Sequence, residues 1–177
     1  MKFLKFFLFT AALITVVACG SDDDGGGSTT IELNTTNFAG TYEITLLQGT
    51  EVITTTGSDG STIFLESETF SAGTFDDAMY TFNADGTYTA SGAYVATYVT
   101  TIGTQAPVTD TEIEDLDDES GTYTLNATDR TISFDMDSDE DVTFFDGNNI
   151  TVIGGDVDVF EGDTFTYTYE IRLKRVE

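Results

Sequence analysis

The chain has 177 residues, 32 acidic and six basic, with no histidine, no tryptophan and one cysteine. A formal charge of −26 excludes nucleic-acid binding, because phosphate recognition depends on Lys and Arg neutralising the backbone. Lacking histidine, the chain has neither Ser-His-Asp nor Cys-His nucleophilic centres, nor the usual zinc ligands.

Lys2 and Lys5 open the chain, and thirteen uncharged residues follow from Phe6 to Ala18. That length suits a secretory apolar core and falls short of the roughly 20 residues of a spanning helix. The run ends in Val16-Val17-Ala18-Cys19, followed by Gly20 and Ser21, a pattern resembling a lipobox. Cys19 has no disulfide partner, so its thiol is the expected acceptor of a diacylglycerol anchor. The blander alternative is an ordinary cleavage site beside a chance cysteine. Each buried methylene of an acyl chain such as palmitate contributes about 0.8 kcal/mol, and lasting attachment needs more than one chain. Residues 1–18 are thus expected to be a lipoprotein signal peptide, and 19–36 an acylated cysteine with a tether. The tether combines Asp22-Asp23-Asp24 with Gly25-Gly26-Gly27-Ser28, a flexible composition. An acidic run so close to the cysteine resembles the export signal of surface lipoproteins of Gram-negative bacteria. The resemblance implies the outer membrane and display at the cell surface, with a periplasm-facing anchor as the alternative. Removing Lys2 and Lys5 leaves four basic residues against 32 acidic ones, a charge near −28.

Residues 37–177 suit one domain. Tyr42, Ile44 and Leu46 alternate with Thr41, Glu43 and Thr45, the signature of a half-buried strand. Val52–Thr56 either pairs with this strand or extends it. Asp85-Gly86 between Met79–Asn83 and Thr87–Ala90 predicts a hairpin, with a second strand continuing past a bulge near Gly92. Residues 103–119 contain the only proline and a run of acids, and are expected to form a long exposed loop. Strands are expected again over 122–125, 131–136, 141–145 and 149–153. The most regular strand runs from Thr164 to Lys174, with Phe165, Tyr167, Tyr169, Ile171 and Leu173 on one face. Eight to ten strands with short connections predict an all-β fold, an antiparallel up-and-down barrel of about eight strands or a sandwich.

Gly40-Thr41-Tyr42, the Tyr80–Tyr88 hairpin and a last strand ending Ile171-Arg172-Leu173-Lys174-Arg175 resemble the lipocalin-like domains of bacterial lipoproteins. In that family a Gly-x-Trp opens the first strand, and a basic residue near the last strand covers the indole. The resemblance implies that Tyr42 takes the tryptophan position and that Arg172, Lys174 or Arg175 supplies the cation. It also implies a barrel, with an immunoglobulin-like sandwich as the rival. A barrel of this size is either filled by side chains or holds one small ligand. Tyr42, Ile44, Phe82, Tyr88, Phe134, Tyr167 and Tyr169 are the candidate lining of such a cavity.

Paired carboxylates can hydrolyse glycosides, but among 32 acids a pair carries no information. No phosphate-cradling glycine loop is present, and the chain is read as non-enzymatic. Asp135, Asp137, Asp139 and Asp141 alternate as Ca²⁺ ligands can. Glu140, however, stands where an EF-hand needs glycine, and the flanks read as strands, so a solvated hairpin tip is the preferred reading of the run. Asp156, Asp158, Glu161 and Asp163 form a similar group. The expected function is therefore a lipid-anchored, non-enzymatic barrel, without cofactor, that binds a small apolar ligand or a protein partner. The alternative is a structural or adhesive envelope protein with a solid barrel stiffened by Ca²⁺.

Overall fold

A computed structural model describes residues 31–117, 119–135 and 139–176. Cys19, the leader, most of the tether and Asp137 lie outside these residues. Among those described, no helix is long and apolar enough to cross a membrane.

A four-residue helix, α1 (Thr35–Phe38), precedes nine strands. They are β1 (Gly40–Thr56), β2 (Thr62–Phe82), β3 (Thr87–Ile102), β4 (Val108–Asp115), β5 (Ser120–Asn126), β6 (Thr131–Phe134), β7 (Asp139–Phe145), β8 (Asn149–Phe160) and β9 (Asp163–Arg175). All pairings are antiparallel, in the order β2-β1-β9-β8-β7-β6-β5-β3-β4, and a β2–β3 ladder closes the ring. β5 pairs with the start of β3 at Thr87–Thr89, and β4 with the same edge further along, at Ala93–Thr100. The two short strands thus share one place in the ring, and the result is an up-and-down barrel of eight positions. Where the ring is closed, no strand edge is left to pair with another chain.

The strands differ greatly in length. β2 has 21 residues and β1 17, whereas β6 has four and β5 and β7 seven each. The ring therefore closes only at the end where β1 begins and β9 finishes. Beyond it, β4-β3-β2-β1-β9-β8 continue as an open, six-stranded sheet. The inner face of this sheet is continuous with the barrel interior.

The segment over 103–119 corrects the sequence expectation. It is not a loop throughout, because Val108–Asp115 is an edge strand in register with β3. Its acids alternate with Thr109, Thr111 and Ile113, so both faces of the strand stay wet while the backbone satisfies the edge of β3. Val52–Thr56 extends β1 and does not pair back on it. The expected bulge lies opposite Gly92, where the register of β2 shifts between Asp76 and Met79. Gly92 adopts φ +83°, and a Cβ there would collide with the Asp77 carbonyl, so glycine is required.

Candidate functional site

The closed end of the barrel is solid. Phe38, from α1, is fully buried and packs against Phe82, Tyr123 and Phe145, with ring centroids 4.9, 5.7 and 5.6 Å away. Asn34 caps α1 by accepting from the Asn37 amide at 2.9 Å, which holds Phe38 in place. Leu33 is also buried in this core, so the fold takes in residues that the sequence assigns to the tether. The polar tips of the core tyrosines are satisfied. Tyr42 donates to the Phe38 carbonyl at 2.8 Å and Tyr123 to that of Asn83 at 2.7 Å.

Arg175 locks this plug. Its guanidinium donates to the carbonyls of Gly147, Ala39 and Asn37 at 2.6, 2.8 and 2.9 Å, and also to the Tyr42 hydroxyl. It lies over the Tyr42 ring, 4.7 Å from the centroid. Of the three basic residues considered for the cation, Arg175 takes that place. Arg172 instead pairs with Glu170 at 2.7 Å and Lys174 with Glu43 at 3.1 Å, both on the surface.

Five of the seven candidate lining residues, Tyr42, Ile44, Phe82, Tyr88 and Phe134, meet in this packed core. They pack together at the closed end, and none of them lines the two hollows described below. Tyr167 and Tyr169 stand apart on the inner face of the open sheet, with ring centroids 5.7 Å apart. The Asp135 carboxylate is occupied by the Thr122 amide at 2.7 Å, the Thr122 hydroxyl at 3.3 Å and the Tyr88 hydroxyl at 3.3 Å. Asp139 and Asp141 lie on β7, in register with Ser133 and Thr131. Among the described residues, no three His, Cys, Asp or Glu side chains are placed to hold a metal ion.

The inner face of the open sheet is the remaining concave surface. Cross-strand partners share a face, so the registers Phe70↔Tyr98, Gly49↔Phe70, Gly49↔Tyr169 and Gly154↔Tyr169 put these aromatics on one floor. Gly49 and Gly154 make the floor smooth. A Cβ at Gly49 would fall into the Phe70 ring, and one at Gly154 into the Tyr169 ring, so both rings lie flat over a neighbouring strand. Above the floor are two adjoining hollows. One, of about 230 Å³, is lined by Glu51, Ile53, Glu66 and Glu68. The other, of about 340 Å³, is lined by Thr100, Ile102, Gln105, Ala106, Val108 and Asp110. Glu66 is in register with Ile102 and Glu68 with Thr100, so the hollows share a wall.

The electrostatics of this trough are one-sided. Burial, then Glu68 and Glu66, push the Glu51 carboxyl above its ordinary 4.5. Burial, then Glu140 and Glu51, push Tyr167 up to about 12. Burial, then Glu114, Glu119 and Tyr167, also push Tyr94 up to about 12. The four basic residues among those described sit at the closed end, Arg130 in the β5–β6 turn and Arg172, Lys174 and Arg175 at the end of β9.

Both free edges of the open sheet are guarded. On β8 the Val157 and Val159 amides are each taken, at 2.7 Å, by the aspartate just before them. On β4 the Thr111 amide is taken by Asp110 at 2.8 Å. No protein-family model, curated protein or solved structure matches the chain.

Proposed function

We propose that this protein is a lipid-anchored envelope lipoprotein whose barrel is a non-enzymatic binding module, and that the open trough, not the barrel interior, receives a protein partner. The observation that carries this reading is the division of the barrel into a plugged end and an uncovered one. Phe38 and its neighbours pack the closed end with buried side chains. The aromatic floor of Phe70, Tyr98, Tyr167 and Tyr169 faces open space. The chain enters the barrel through α1 at the plugged end. An anchor on Cys19, at the outer face of the outer membrane, would therefore attach to the barrel at its plugged end, through the tether.

Two measurements test the proposal. Radiolabelled palmitate should enter the wild-type protein and not Cys19→Ser, and the variant should leave the membrane fraction. A photo-cross-linking amino acid at position 167, inside the trough, should capture a partner in intact cells. The same group at 166, on the outer face, should not. Unlabelled wild-type protein defeats the address, and equal capture from both positions defeats the trough.

A further inference from the structure

Resting on that reading of the trough, the lining itself indicates what kind of partner it takes. We infer that the trough binds an extended cationic polypeptide segment, placing Lys or Arg side chains in the Glu51–Glu66–Glu68 hollow and apolar side chains in the hollow beside it.

Charge complementarity is the first argument. Glu51 and Glu68 are directly opposed on neighbouring strands, and Glu66 is two residues further along β2. Like charges directly opposite in a sheet are destabilising, and among the described residues the Thr100 hydroxyl, donating to Glu68 at 3.0 Å, is the one polar group that offers relief. None of the basic residues described above reaches this hollow. A cation delivered by a partner would remove a repulsion that the fold otherwise carries alone. The raised Glu51 carboxyl is consistent with this crowding.

The second argument is the pairing of unlike hollows. Ile102 and Val108, 51% and 68% exposed, line the apolar one across the shared wall. A ligand filling both needs positive and apolar groups a few ångströms apart, as neighbouring side chains of a polypeptide provide. A bare metal ion satisfies only one hollow, and the trough acids are not arranged as metal ligands. The eight residues of β1 from Gly49 to Thr56 span about 25 Å, room for a segment of similar length. Tyr167 and Tyr169 add ring faces for cations.

The third argument concerns the mode of docking. Edge amides capped by Asp110, Asp156 and Asp158 discourage strand addition. The segment therefore lies on the face of the sheet, not along its rim.

The test uses the full chain in non-ionic micelles and a fluorescein-labelled eight-residue peptide alternating Lys and Val, with empty micelles as the baseline. Matched Glu/Val and Ser/Val peptides, spermine and calcium chloride are the comparison ligands. The Lys/Val peptide should raise fluorescence anisotropy, and its Kd should rise at least tenfold in the triple variant Glu51→Gln, Glu66→Gln, Glu68→Gln. Circular dichroism should show that variant folded, since it loses repulsion and no packing. A variant with the same charge change outside the trough, Glu32→Gln, Glu43→Gln, Asp129→Asn, should bind as wild type. Equal weakening in both variants would overturn the inference in favour of unspecific attraction to net charge. Displacement by spermine or calcium at matched charge would overturn the polypeptide assignment. If cross-linking from position 167 succeeds while Lys/Val binds no better than Ser/Val, the trough stands as a docking face and only its cationic occupant falls. Failure of both removes both.

Discussion

Replacing Arg175 by methionine keeps an unbranched, shorter apolar stem and removes the group that joins α1, β1, β9 and the β7–β8 turn. The wild-type guanidinium serves three carbonyls within 2.9 Å and the Tyr42 hydroxyl, and covers the Tyr42 ring. Hydrogen bonds to a charged donor contribute about 1.5–3 kcal/mol each when the acceptor stays dry, and a cation over a ring about 0.5–2 kcal/mol. Water can reach part of this site in the variant, so the contributions do not sum. A net loss of about 3–5 kcal/mol is expected, a large share of the roughly 5–15 kcal/mol that holds a domain folded. Urea unfolding followed by circular dichroism measures it. With a slope of about 2 kcal/mol per molar, the midpoint should fall by roughly 1.5–2.5 M at unchanged slope. Arg175→Lys should recover less than half of the loss, because an ammonium cannot serve the diverging carbonyls that the guanidinium fork reaches. Lys174→Met is the internal control. Its ion pair with Glu43 is exposed on both sides, 61% and 45%, and should contribute less than about 1 kcal/mol. If Arg175→Met costs no more than Lys174→Met, the plug is not held as described.

Gly92→Ala should destabilise by about 1–3 kcal/mol in the same assay, because the φ of +83° and the Asp77 carbonyl both oppose a Cβ; a neutral result would show that the bulge relaxes. The pH dependence follows from Glu51, whose carboxyl is raised in the fold. At pH values between its unfolded pKa and this raised value the folded state holds more proton, so Glu51 makes stability fall as pH rises through that window. In Glu51→Gln that contribution to the slope should disappear, and a slope unchanged from wild type just above the ordinary carboxyl value of 4.5 contradicts the crowding. Replacing the edge guards together, Asp110→Ala, Asp156→Ala and Asp158→Ala, should free the amides of Thr111, Val157 and Val159 for pairing between molecules. Sedimentation velocity should then show concentration-dependent self-association that wild type lacks, and a strictly monomeric triple variant would deny the capping any protective role.

Period-two alternation was enough to read strands in this chain, because each half-buried strand puts apolar residues on one side. It placed β1, the Asp85-Gly86 hairpin and β9 from local pattern alone, and it left a barrel and a sandwich open, of which the fold is the barrel. The contact of Tyr42 with a basic residue of the last strand was expected only from the family resemblance, and the structure shows the contact itself. The choice of Arg175 over Arg172 and Lys174 follows from the same alternation, since Arg175 continues the face of Ile171 and Leu173 and stands in register with Tyr42.

The trough was illegible for a different reason. Alternation tells which face a side chain occupies but not how far along the strand the barrel stays closed. Tyr42 and Tyr167 therefore looked equivalent in sequence, yet one is fully buried under Arg175 and the other is 39% exposed on an open sheet. That difference arises because β5, β6 and β7 stop short while β1, β2, β3, β8 and β9 run on. Likewise β4, with acids at every second position and little apolar content, has no pattern of its own to declare it a strand. Only the unpaired edge of β3, whose amides and carbonyls need partners, makes it one. Local chemistry in the sequence determined the strands and their faces; the relative lengths of distant strands, expressed only in the folded ring, decided where the interior is packed and where it lies open.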